Sequence, residues 1–132
     1  MNRDSHWMNL ETLLFFETQP EALPLYEAFE STLYALFPDI GKRVQKTQIT
    51  FYKRYVFACA SFVRVKRKAD LPDPYLVITL GLPYSLISDR VAAKSEPYPG
   101  RWTTHFVIGS PEEIDEEMIT WIKEAFLFSE TK

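Results

Sequence analysis

Hydrophobic positions along the chain change their period twice, and the changes divide it into helices, then strands, then a last helix. Leu10, Leu13, Leu14 and Phe16 recur at helical spacing behind Asn9, a residue suited to capping, which predicts a short helix over 10–16. Gln19-Pro20 interrupts it. Pro20 suits the first turn of a second helix, where an N–H would have no helical partner to lose. Ala22, Leu25, Tyr26, Phe29, Leu33, Leu36 and Phe37 then form a wide apolar stripe through 20–37, and Pro38-Asp39-Ile40-Gly41 stops it.

From 47 the period becomes two. Ile49 and Phe51 alternate with Gln48, Thr50 and Tyr52, Lys53-Arg54 is a plausible hairpin tip, and Tyr55–Val65 reads as the returning strand. A two-residue turn would set Tyr52 opposite Tyr55, Thr50 opposite Phe57 and Gln48 opposite Cys59. Ile49, Phe51, Val56, Ala58, Ala60 and Phe62 would then share the drier face, which is assigned to the core. Tyr75–Leu82 predicts a third strand and Trp102–Ile108 a fourth. The intervening stretch to Gly100 lacks a clean period and is read as a long loop, with room for a helical turn around 85–93. Ser110-Pro111-Glu112-Glu113 forms a capping box for the final helix, whose buried stripe is Ile114, Met118, Trp121, Ile122 and Ala125.

The order helix, helix, four strands, helix points to the α+β class: a four-stranded, mainly antiparallel sheet with the N-terminal helices and the C-terminal helix on one face. The expectation is a single domain over 1–132, with a poorly ordered N-terminus at 1–8 and no repeat or boundary. At 132 residues, 46% hydrophobic and 25% charged, the chain has the composition of one folded globular domain.

Composition narrows the chemistry more than it narrows the fold. One cysteine forbids an internal disulfide and a cysteine-based zinc site, and two histidines leave little for a metal cage. Cys59 lies in an apolar run and reads as a small buried hydrophobe. No P-loop, GxSxG, HExxH, CxxC or dinucleotide fingerprint is present, so no catalytic residue, metal or cofactor is assigned. Neither a signal peptide nor a membrane-spanning stretch is legible, and the expected location is cytoplasmic, with no membrane partner.

The net charge of −3 conceals a segregation. Residues 1–39 hold seven acids and one base, residues 40–69 nine bases and no acid, and the remainder eleven acids and five bases. If helices cover one side of the sheet, the other carries aromatic, hydroxyl and cationic groups: Lys46, Gln48, Thr50, Tyr52, Tyr55 and Phe57 on the hairpin, with Arg101, Thr103 and His105 on the fourth strand. Such a face suits an anionic ligand or single-stranded nucleic acid, because rings stack and cations neutralise. The plainer reading is the ordinary wet face of an antiparallel sheet.

The run Gly100–Phe126 (GRWTTHFVIGSPEEIDEEMITWIKEAF), preceded by Lys46–Phe62 (KTQITFYKRYVFACASF), resembles the bacterial and archaeal family catalogued as domain of unknown function 5655. The resemblance spans residues 10–128 and rests on order and spacing: a leading amphipathic helix, a Lys-Thr opening a hairpin, an Arg-x-Thr-Thr-His-like strand and a capped final helix. It implies a compact α+β domain, in some members loosely labelled a predicted transport protein. It also adds Lys46, Thr47, Arg101, Thr104 and His105 as candidate positions. Together with Thr50, Tyr52 and Tyr55 these form the candidate binding set. The sequence favours a non-enzymatic module that binds a ligand or macromolecule through the basic, aromatic side of the sheet. The alternative is a small-molecule enzyme centred on His105 and Arg101. An anionic ligand, a nucleic acid and a second copy of the chain, as a homodimer, are the candidate partners.

Overall fold

The computed structural model describes residues 9–132, so the expectation for the first eight residues lies outside the described residues. Helix α1 spans Leu10–Phe15, and Asn9 caps it by accepting from the Thr12 N–H at 2.9 Å. A 3-10 turn at Pro20–Ala22 leads into α2, Leu23–Leu36. Six strands follow: β1 (Gly41–Val44), β2 (Gln48–Tyr52), β3 (Val56–Ser61), β4 (Leu76–Leu82), β5 (Val91–Tyr98) and β6 (Arg101–Ile108). Helix α3, Glu116–Ser129, closes the chain. All neighbouring strands pair antiparallel in the order β1-β2-β3-β4-β6-β5.

The α+β class with an antiparallel sheet is therefore correct, but among the described residues the sheet has six strands, not four. Both additions are edge strands, each paired on one side only, and neither carries the hydrophobic alternation of a half-buried strand. β1 is four residues long, and one of its two inward positions is a lysine, Lys42, the other being Val44. β5 occupies most of the stretch expected to be a loop; its second half is exposed, and it extends the sheet instead of folding over it. No helix forms around 85–93. Gly100, at φ 75°, makes the tight β5–β6 turn, a left-handed conformation that favours glycine.

The core lies between the helices and one face of the sheet. Ile49, Phe51, Ala58, Ala60, Ile78, Leu80 and Phe106 meet Tyr26, Phe29 and Leu33 of α2 and Met118, Trp121, Ile122 and Ala125 of α3. Phe29 stands edge-on to Phe51 at 5.7 Å, and Phe106 stacks on Trp121 at 5.2 Å. One register detail departs from expectation. Phe51 pairs with Ala58 but Tyr52 with Val56, so Phe57 is the extra residue of a β-bulge. The bulge turns Phe57 into the core, edge-on to Phe37 at 5.6 Å and Phe126 at 5.2 Å, while Val56 is exposed. This reverses the two residues' expected sides. The turn holds three residues rather than two, and Gln48 faces Ser61 rather than Cys59.

Two polar devices fix the helices. Lys42 of β1 is buried with Glu30 of α2 in a 2.7 Å ion pair, and its ammonium also donates to Thr12 of α1 at 2.5 Å. Tyr26 donates to the same Glu30 carboxylate at 2.9 Å, and burial raises the Tyr26 phenol far above its ordinary range. At the other end, the capping box closes only a 3-10 turn at Pro111–Glu113, where Glu113 accepts from the Gly109 and Ser110 N–H groups. The N-cap of α3 itself is Asp115, accepting from the Met118 N–H at 3.0 Å.

Candidate binding groove on the open sheet face

With both long helices on one side, the opposite side of the sheet is uncovered at its centre. Strand pairing aligns Thr50, Cys59, Thr79 and His105 across β2, β3, β4 and β6, one directly opposite the next. Period-two alternation sends all four to the side away from the core. Around the last three a groove of ≈ 850 Å³ opens. Gly81 and Thr103 line it towards one end, and Lys46, Thr47, Ser61 and Phe62 towards the other. Phe15 reaches it from α1, its ring stacked on Phe62 at 6.0 Å, and Lys132 lines it as well.

Thr79 Oγ1 and His105 Nδ1 are 2.8 Å apart and share one proton. Burial pushes the His105 imidazole below its ordinary 6.5, which leaves it neutral at neutral pH. Burial pushes the Cys59 thiol up, and the Thr50 hydroxyl, 4.0 Å from the sulfur, opposes this only in part. Cys59 and His105 are separated by the whole of β4, about 9–10 Å at the usual strand spacing. They cannot form a thiolate–imidazolium pair. The arrangement offers hydrogen-bonding groups and cations around a partly apolar floor, which is the equipment of recognition. Among the described residues no group of three or more His, Cys, Asp or Glu could hold a metal ion.

The candidate set separates into three groups. Lys46, Thr47 and His105 line the groove together. Thr50 faces the same side but is buried beneath, donating to Gln45 at 2.6 Å and accepting from Gln48 at 3.0 Å. The others lie outside. The Tyr52 ring carries the Arg43 guanidinium at 4.7 Å and packs so closely on Gly41 that a Cβ there would approach it to 2.6 Å. Tyr55 sits in the exposed turn beneath Arg54, and Arg101 is exposed at the start of β6. Thr104 points into the core, where its hydroxyl has no partner among the described residues.

The basic segment disperses in the same way. Lys42 is buried, Arg43 covers Tyr52, Lys53 and Arg54 occupy the far turn, and Arg67 pairs with Asp70. Of the nine bases only Lys46 lines the groove. Cys59, Ser61, Thr79 and Phe62 were missed as groove residues. For Thr79 the signal was present, since alternation put it opposite the core positions of its strand. Cys59 also fell on the open side, but its apolar neighbours argued for burial. Phe15 had no local signal, because tertiary packing brings α1 to the groove.

The class is thus an α+β domain with two long helices on one face of an antiparallel sheet and a groove of mixed polar and apolar lining on the other. A family model, domain of unknown function (DUF5655), matches residues 14–129, most of the chain, and the protein belongs to that family. Comparison with curated proteins and with solved structures returned no match. No helix among the described residues is long and apolar enough to cross a membrane.

Proposed function

We propose that the domain is a non-enzymatic binding module whose ligand is small and occupies the groove over β3, β4 and β6. The groove itself carries this reading. Its ≈ 850 Å³ falls in the range of small-molecule sites, and Lys46, Lys132, His105 and several hydroxyls line it without an aspartate or glutamate among the described residues. Such a lining favours anionic or neutral polar ligands over cations. Nucleic acid has less support, because Tyr52 and Tyr55 lie off the groove and the basic residues form no continuous track. Catalysis by His105 has one observation in its favour, its hydrogen-bonded position in a concave site. Arg101 does not line that site, and Thr79 is the one side chain hydrogen-bonded to His105 among the described residues.

Amide chemical-shift mapping against a set of small carboxylates, phosphate esters and neutral analogues tests the reading. The expected result is saturable shifts concentrated at Ser61, Thr79, Thr103 and His105. Shifts scattered over the helices, or none at millimolar ligand, would sink it.

A further inference from the structure

Resting on that reading of the groove, we infer that its ligand is an amphipathic anion: an apolar, aromatic-like body lying on Phe15 and Phe62, with a carboxylate or phosphate head held by Lys46. The apolar contact is preformed. Phe62 is held by three rings, stacked on Phe15 at 6.0 Å and edge-on to Phe16 at 5.5 Å and Tyr75 at 5.7 Å, with Phe15 itself edge-on to Phe16 at 5.2 Å. Phe15 and Phe62 nonetheless remain partly exposed, and both line the groove. Two rigid rings left half in water are a surface that an apolar body can cover at little conformational cost.

The head group follows from the cations. Continuing the β2–β3 register beyond Gln48 and Ser61 sets Lys46 opposite Val63, beside the Phe62 end of the groove. Lys46 is exposed and has no ion pair or side-chain hydrogen bond among the described residues. Lys132, the other groove lysine, stands over the Phe128 ring at 5.6 Å. His105, the titratable group nearest the middle, is held neutral at neutral pH by burial. The centre therefore supplies neutral hydrogen bonds, and of the two groove lysines, neither ion-paired among the described residues, Lys46 is the one without a ring contact of its own and the one beside the Phe62 end.

Calorimetric titration with three probes separates the parts: naphthoate (body and charge), naphthylmethanol (body alone) and inorganic phosphate (charge alone). Protection of Cys59 from iodoacetamide reports in parallel whether a probe occupies the groove. Naphthoate should bind about tenfold more tightly than naphthylmethanol, the scale of one charge-assisted hydrogen bond. Lys46→Gln should abolish that advantage while leaving naphthylmethanol unchanged. Phe15→Leu should weaken both naphthyl probes. Equal affinities unaffected by Lys46→Gln, with Cys59 still protected, would overturn the anionic head and leave the groove reading intact. Phosphate binding as tightly as naphthoate would overturn the apolar body. Absence of both binding and Cys59 protection would overturn the groove reading with it.

Discussion

Lys42 and Lys46 stand four residues apart around the same hairpin arm, and the sheet between them divides two kinds of polar chemistry. On the helix side Lys42 is buried, and every group around it is answered: Glu30 takes its charge, Thr12 accepts from it, Tyr26 donates to the same carboxylate, and Asn9 accepts from Thr12. On the open side Lys46 is unpaired among the described residues, and His105 has one partner in a groove with room for more. A closed network holds elements together because removing a member strands a buried charge. An open one costs less to disturb and has hydrogen-bonding capacity left over. The difference teaches where to look for function: the unmatched polar groups, not the most polar residues.

Breaking the closed network should have the largest effect. Glu30→Ala strands the Lys42 ammonium and should cost roughly 3–5 kcal/mol by urea unfolding, whereas Glu30→Leu with Lys42→Met should cost much less. If the single change were as mild as the double, the network would not be what fastens β1 to α2.

Charges that are matched but exposed form an intermediate case. Arg90 donates to Asp115 at 2.9 Å, Glu117 at 3.0 Å and the Glu113 carbonyl at 2.6 Å. Asp115→Ala removes the α3 cap and should cost about 1 kcal/mol at neutral pH. Arg90 and the Met118 N–H hold the Asp115 carboxyl below its ordinary 3.8. Its contribution is therefore complete above that value and lost as pH falls through the lower folded value. Acid unfolding of the wild type and Asp115→Ala should converge there.

Among the described residues the core contains one unmatched group of its own, the Thr104 hydroxyl. Thr104→Val removes a buried hydroxyl without a partner and keeps the shape, so it should stabilise by up to about 1 kcal/mol. A clear loss in thermal unfolding would mean that the hydroxyl is satisfied by a bound water.

The smallest effect belongs to the groove. Burial holds the folded pKa of His105 below 6.5, so acidification forces a proton onto a group that resists it. Stability present above the unfolded value declines as pH falls from 6.5 towards the folded value. The wild type should lose this increment relative to His105→Gln, and parallel stability–pH curves would contradict the assignment.

Much of the frame was legible in the chain. The helical stripe at Leu25, Phe29 and Leu33, the alternation at Ile78 and Leu80, and the apolar set of α3 predicted their elements because each buries one continuous face against the core. β1 and β5 escaped for the same reason in reverse. An edge strand with a buried lysine or an exposed half has backbone pairing but no apolar period to announce it. The Phe57 bulge was equally silent, since nothing local distinguishes an extra residue from a longer turn.

Sequence by itself determined the class, the family and the buried stripes of α2, β4 and α3, because all of these follow from short-range periodicity and from order along the chain. Tertiary structure decided which candidates meet. Cross-strand register joined Cys59, Thr79 and His105, the packing of α1 brought Phe15 to Phe62, and a salt bridge across 12 positions consumed Lys42 while Lys46 has no ion pair among the described residues. Charge along a chain is additive, but whether a charge is answered depends on which distant group the fold puts beside it.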